Sequence, residues 1–225
     1  MGQKVNPIGF RIGINNLWRM ESQCYGKSFI NPKRLYKKLL PTTNNLNKLL
    51  ESKMFLLGEI QSKIKDNKWQ YSVQYVPLTS QNSLDIQACK KIVPSIFSID
   101  LLQYNTTVWY RNGALVCEFI KLLLKKGIAF RKIVNTIKIT FLNNSKFKLV
   151  LKTVRGQQLF EFIGIKIKYV GRFGGSRSRM SNSIAFRTGA VPLQKLNTYI
   201  EFHETPLYTK QGICNLQVWM AYKTI

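Results

Sequence analysis

Acidic side chains are the scarcest resource in this 225-residue sequence: ten Asp and Glu face thirty-five Lys and Arg, for a formal net charge of +25. Between residues 119 and 200 the only carboxylate is Glu161, and elsewhere the carboxylates are scattered singly. A two-metal nuclease needs converging carboxylates, so that class is excluded, and no metal or other cofactor is expected. Histidine is almost absent, with His203 as the whole imidazole supply. The four cysteines, Cys24, Cys89, Cys117 and Cys214, contain no C-x-x-C pair, which excludes a Cys/His zinc site. They read as small buried apolar residues in a reducing compartment. No run of eighteen apolar residues occurs, so no membrane span is expected. The start, Met1-Gly2-Gln3-Lys4-Val5-Asn6, has Asn where myristoylation needs Ser or Thr, and it lacks the Arg/Ser-rich look of a transit peptide. The folded part is expected to begin at once.

What the sequence does hold is enough apolar material, 45%, for a sizeable core, and an excess of cations that calls for a polyanionic partner. The excess is uneven. Residues 1–40 carry a net +7, residues 41–118 only +2, residues 119–200 a net +16, and the last 25 residues balance to zero. Lys, Ile, Asn, Phe and Tyr supply 87 residues, and Lys outnumbers Arg 25 to 10. These amino acids use A/T-rich codons, which points to an AT-rich genome such as an organelle's, an AT-rich bacterium being the alternative.

Gly2, Pro7, Gly9 and Gly13 punctuate an irregular N-terminal arm. A helix is expected around Arg34–Leu40, interrupted at Pro41, and another over Asn44–Ile64, whose Leu46, Leu49, Leu50, Leu57, Ile60 and Ile64 fall at helical spacing despite Gly58. Trp69, Tyr71, Val73 and Tyr75 alternate with polar residues, predicting a half-buried strand over Lys68–Val76. Gln81–Val93 reads as a short helix and Ile96–Tyr104 as a strand. The strongest helix is Ala114–Lys126, with an apolar stripe of Leu115, Phe119, Leu122 and Leu123, and Lys121, Lys125 and Lys126 late, where cations suit the helix dipole. After Gly127 a second helix is expected over Ile128–Ile137, carrying Arg131 and Lys132. Asn143-Asn144-Ser145 reads as the turn of a hairpin joining Ile137–Leu142 to Lys146–Val154. The remainder is β: a strand through Ile165, Ile167 and Tyr169, one over Leu196–Phe202, and one over Cys214–Met220, with Thr205–Gly212 as the turn before it.

Lys166 and Lys168 stand two apart on a strand, so both project from one sheet face over an apolar one that takes Tyr169 into the core. Gly171-Arg172-Phe173-Gly174-Gly175 and then Ser176-Arg177-Ser178-Arg179 follow. Glycines let a backbone approach phosphates, arginines fork onto them, and Phe173 is available for stacking, which together suit single-stranded or irregular RNA. Gly171–Gly174 matches a G-x-x-G loop, but it follows a strand and no amphipathic helix succeeds it, so it is not read as a KH loop. Glu201, His203 and Glu204 invite an acid/base reading; a solvated strand edge and turn is the simpler one.

With those residues in view, the chain resembles the universal small-subunit ribosomal protein three family. The opening MGQKVNPIGFRIGI is similar to the family's, as are GIKIKYVGRFGG at 164–175, Arg187-Thr-Gly-Ala-Val-Pro-Leu, Tyr208-Thr-Lys-Gln-Gly-Ile and Val218-Trp219 in the same order. Leu115-Val116 through Phe130-Arg131-Lys132 looks like the family's basic helix pair. The resemblance implies an α+β protein of a KH-type domain followed by an α+β domain with a mainly antiparallel sheet. It further implies binding to small-subunit rRNA in the head and to mRNA at the channel by which messages enter, beside the neighbouring head and channel proteins. Cations on the second helix would assist mRNA unwinding; Arg131 and Lys132 match that motif, while a third basic position falls on Asn135.

Two departures shape the expectation. Residues 41–112 show no G-x-x-G loop and little charge, as a degenerate KH-like domain would, and about fifteen extra residues near 137–154 suggest an inserted hairpin. The expected organisation is therefore a basic arm and first helix (1–40), the KH-like domain (41–112) and the C-terminal domain (113–225). The expected function is that of a non-enzymatic structural ribosomal protein in the mitochondrial matrix, organelle-encoded, with plastid or bacterial cytoplasm as alternatives. Its expected RNA contacts are Lys4, Arg11, Lys121, Lys125, Lys126, Arg131, Lys132, Lys166, Lys168, Arg172, Arg177, Arg179 and Arg187. The rivals are a free RNA-binding regulator and an organelle-encoded nucleic-acid enzyme, such as an intron endonuclease, against which the scarcity of carboxylates argues.

Overall fold

The computed structural model describes all residues except 1–4, 19, 23–30, 32, 34–35, 38–39, 42, 46–47, 49–54, 66–67, 78–98, 106–107, 145–146, 173–179 and 210–211. The chain divides into two compact units: Arg19–Trp109, and a second assembled from Met1–Trp18 together with Tyr110–Ile225. The basic N-terminus is thus not a segment by itself. It belongs with the C-terminal half, for a reason that lies in Arg11.

In the Arg19–Trp109 unit, a four-stranded sheet runs in the order β1 (Met20–Ser22), β2 (Phe55–Lys65), β3 (Lys68–Pro77), β4 (Ile99–Asn105). β2 and β3 are antiparallel, whereas β3 and β4 are parallel. The expected Gln81–Val93 helix lies outside the described residues. Helical backbone occurs between Lys33 and Lys48, on both sides of Pro41. β3 forms where the aromatic and β-branched alternation placed it, with Tyr71, Val73 and Tyr75 buried.

The helix expected over Asn44–Ile64 is wrong from Phe55 onward, and a register shift explains why. Between Leu57 and Ile60 the β2–β3 ladder slips at a bulge. A bulge adds one residue to a period-two pattern, so Leu57 and Ile60 are three apart although both pack on one small core with Phe55, Val73 and Tyr75. Phe55 meets Tyr75 edge-on at 5.4 Å. Three-residue spacing from a bulge looks the same in sequence as helical spacing.

The larger unit is a five-stranded antiparallel sheet with two helices on one face. β6 (Gly156–Gly171) is its long central strand. β9 (Gly212–Thr224) pairs along one side of it, and β5 (Lys148–Thr153) and β7 (Asn182–Gly189) pair with its first and second halves; β8 (Thr198–Thr209) closes the far edge against β9. α1 (Gly113–Lys125) begins at Asn112, whose side-chain oxygen accepts from the Ala114 N–H at 2.8 Å. It packs on β8 and β9. Its fully buried side is Leu115, Val116, Cys117 and Ile120; Phe119, Leu122 and Leu123 of the expected stripe are half-buried. α2 (Phe130–Asn143) buries Phe130, Ile133, Val134, Ile137 and Phe141. Phe130 stacks on Tyr169 at 5.0 Å, and Phe147 stacks on Phe162 at 4.8 Å, so an aromatic layer joins helices to sheet.

Three further expectations are corrected here. Ile137–Leu142 is not a strand; α2 continues through it to Asn143, because Ile137 and Phe141 face the sheet one turn apart. The hairpin of this region joins β5 to β6 across Val154 and Arg155, not Ile137–Leu142 to Lys146–Val154. Thr205–Gly212 is not a turn either, since β8 runs to Thr209 in register with β9. Finally, β7 was unforeseen, although Ile184, Phe186 and Thr188 alternate with the more exposed Ala185, Arg187 and Gly189.

Candidate nucleic-acid interface

Arg11 sets the framework of the site. The Gly9–Arg11 turn delivers it into the larger unit, where its side chain is 0% exposed. Its Nε donates to the Thr198 carbonyl at 2.9 Å, Nη1 to Pro7 at 3.2 Å, and Nη2 to the carbonyls of Pro192, Leu193 and Lys195 at 3.3, 2.8 and 2.6 Å. A buried guanidinium without a carboxylate must find its compensation in dipoles, and five carbonyls supply it. Burial pulls its pKa below the usual guanidinium value. Arg11 is therefore corrected from a phosphate ligand to an internal clasp that ties the arm to Pro192–Thr198. Asn15 strengthens it, its side-chain amide donating to the Leu196 carbonyl.

The sheet face away from the helices carries the cations. Lys166 is in register with Arg187 of β7 and Trp219 of β9, and Lys168 with Ala185 and Gln217. The Lys166 ammonium lies 5.1 Å from the centre of the Trp219 ring. Arg187 donates its Nε to the Gly189 carbonyl at 3.0 Å, which fixes the plane of the exposed guanidinium. At one end of this face Val191, Ile200, Trp219 and Ala221 form a small second core under the clasped loop, with Leu193 and Phe202 against it. Where the arm meets that loop, a cleft of about 620 Å³ opens, with Lys166, Arg187 and Lys195 in its walls.

Two glycines of the quoted motifs let this corner close. Gly164 and Gly189 are direct cross-strand partners at the end of β7. A Cβ on Gly164 would stand 2.6 Å from the Thr188 carbonyl oxygen, and one on Gly189, at φ +74°, would collide with the Ile163 carbonyl. Only glycine allows both backbones to approach so closely.

On the helix side, Lys125, Lys126, Arg131 and Lys132 are exposed, as is Asn135. Lys121 differs: it pairs with Glu118 at 3.0 Å, so its charge is partly answered within α1. Lys138 extends the exposed row of α2 and was missed, as was Lys195; both are lone lysines in apolar or neutral sequence, with only their exposure to mark them. Arg172 is exposed, while Lys4, Arg177 and Arg179 (with Phe173) lie outside the described residues. The cations thus fall in two groups within this unit, one on the sheet face and one on the helix pair.

The Glu201-His203-Glu204 group divides: Glu204 is exposed, while Glu201 and His203 face the start of α1. Glu201 accepts the Gly113 N–H at 3.0 Å and the Tyr222 hydroxyl at 3.4 Å, placing a carboxylate at the positive end of α1. Burial, then the Glu201 charge, raises the Tyr222 pKa well above the usual phenol value. Cys117, buried beneath α1 with its thiol 3.2 Å from the Thr205 hydroxyl, has its pKa pushed up to about 12 by burial. Such a thiol is inert, not nucleophilic. Among the described residues no three His, Cys, Asp or Glu side chains gather as a metal site would require, and no helix is long and apolar enough to cross a membrane.

Fold and surface define a class: an α+β protein in two units, with cations displayed on a sheet face and a helix pair. No family model matches the chain. Curated relatives match over nearly its whole length. It is 27% identical to small ribosomal subunit protein uS3m of Chondrus crispus, covering 99% of this chain and 94% of that protein. It is 26% identical to uS3 of Campylobacter hominis, covering 98% and 87%, and 25% identical to uS3c of Guillardia theta, covering 98% and 94%. Over nearly its whole length the chain is thus similar to uS3 small ribosomal subunit proteins.

Proposed function

We propose that this chain is a structural constituent of the small ribosomal subunit that binds small-subunit rRNA and performs no catalysis. The observation that carries this reading is full-length similarity to uS3 proteins from mitochondrial, plastid and bacterial sources. It is supported by the cation geometry. Lys166, Lys168 and Arg187 share one sheet face in adjacent strands, an arrangement suited to a phosphate backbone. Lys125, Lys126, Arg131 and Lys132 stand exposed at the adjoining ends of α1 and α2.

In finer detail, the protein sits in the head of the subunit with α2 toward incoming mRNA, beside the neighbouring head and channel proteins. It works in the mitochondrial matrix, in keeping with the match to uS3m and the AT-rich amino-acid usage. Residues 41–112 are the degenerate KH-like domain, and their small net charge fits a segment that no longer grips RNA. Sedimentation of the native protein tests the reading: it should travel with small subunits in low-magnesium gradients, and a protein found only in the ribosome-free fractions would overturn it.

A further inference from the structure

We infer that the cleft between the arm and Val191–Lys195 seats one unstacked nucleotide of single-stranded RNA. The base would lie against Phe10 and the phosphates on Lys166, Arg187 and Lys195. This rests on the RNA-binding reading above but names a site and a ligand form that the reading does not require. Phe10 lines the cleft and is 44% exposed, although its neighbour Arg11 is fully buried. Its ring lies beneath the Arg11 guanidinium, 5.6 Å from the ring centre, which holds the aromatic plane while leaving much of its surface to solvent.

The walls bring together the two chemistries a nucleotide needs. Val5, Pro7, Pro192 and Leu193 supply apolar surface, three cations supply charge, and among the described residues no carboxylate lines the cleft. Its volume, about 620 Å³, falls within the range of small-ligand sites. Two of the cations are positioned from within, Lys166 over Trp219 and Arg187 by its bond to Gly189, and Arg11 anchors the backbone that carries Lys195. Preorganised cations beside an exposed ring fit a splayed base and its phosphate better than an acidic peptide, whose side chains have no use for the ring. Lys168 continues the same sheet face, giving the next phosphate a place to go.

The full chain should be titrated with a labelled ten-nucleotide oligouridine, and the wild-type complex crosslinked by ultraviolet light and mapped by mass spectrometry. Phe10→Ala should weaken binding roughly tenfold, as loss of one stacked base would, while Phe10→Tyr should bind like wild type. Leu193→Trp, which fills the cleft, should weaken it similarly, and the crosslink should map to the arm or to Val191–Lys195. Unchanged affinity in Phe10→Ala, absence of oligouridine binding, a crosslink elsewhere, or equal competition by polyglutamate would each overturn the inference. The Phe10 variants keep it falsifiable should Leu193→Trp fail to fold. Cosedimentation with small subunits is scored separately, so the ribosomal reading can survive loss of this site.

Discussion

The Nε of Arg11 donates to the carbonyl of Thr198 at 2.9 Å, joining residues 187 positions apart in a fully buried bond. This one contact, with the four carbonyl contacts beside it, makes the N-terminal arm part of the C-terminal unit. Arg11→Ala would leave five carbonyls, two of them in buried bonds, without that donor set. It should cost about 3 kcal/mol or more, since bonds to charged groups contribute about 1.5–3 kcal/mol each. Arg11→Lys should recover only part of this, because an ammonium cannot span the fork. Urea unfolding of the two variants measures it; equal stability of Arg11→Ala and wild type would remove the clasp from the account.

The approach of Gly164 to Gly189 makes a second prediction. Gly189→Ala meets both a positive φ and the Ile163 carbonyl, and should destabilise by about 2 kcal/mol or more. Gly9→Ala, where nothing lies within 4 Å of the added carbon, should stay within about 0.5 kcal/mol of wild type. Thermal unfolding midpoints of the pair compare them directly.

Alkaline conditions should loosen the larger unit. Burial favours the neutral Cys117 thiol, with its pKa near 12, and the neutral Tyr222 phenol. A folded-state pKa raised above the unfolded one stabilises at pH below the unfolded value, about 8.5 for a thiol, and loses that contribution as pH rises toward the folded one. Stability measured at intervals from pH 8 to 12 should therefore fall, and Cys117→Ala should flatten part of the slope. In the native state at neutral pH, Cys117 should resist iodoacetamide and react only on unfolding.

Glu201→Gln keeps the shape but weakens the charge at the start of α1, and should cost about 1 kcal/mol in denaturant titration. His203→Ala, by contrast, should leave any RNA binding unchanged, since His203 faces the helix layer beside Gly113.

Arg131→Ala combined with Lys132→Ala removes two exposed charges and no core contact. Assembly into small subunits should persist, and translation should slow on messages with stable hairpins near the start while unstructured messages read at the normal rate. Equal rates on both would detach α2 from mRNA unwinding. Asn135→Lys should shift the hairpin rate the other way.

Much of the fold was legible where one face of an element is uniformly buried. Tyr71, Val73 and Tyr75 announced β3, and Ile165, Ile167 and Tyr169 announced β6, because strict alternation survives only in an uninterrupted ladder. Legibility failed where the ladder broke. The bulge after Leu57 turned a strand into helical spacing, and β7 hid behind a run read for its arginines. The candidate site was legible as charge and unreadable as geometry: Lys166 and Lys168 were placed on one face correctly, whereas Phe10 and Lys195 gave no local signal of meeting.

The sequence by itself determined the cation excess that calls for a polyanionic partner, the scarcity of carboxylates and the resemblance to uS3 proteins, because composition and ordered motifs need no coordinates. Only tertiary structure decided which cations remain available. Arg11 and Arg187 look alike in sequence, yet one is spent on five backbone carbonyls and the other stands at the surface. Whether a guanidinium binds a phosphate or the protein's own carbonyls depends on which dipoles surround it after folding, and residues 181 to 187 positions away supply four of the five for Arg11.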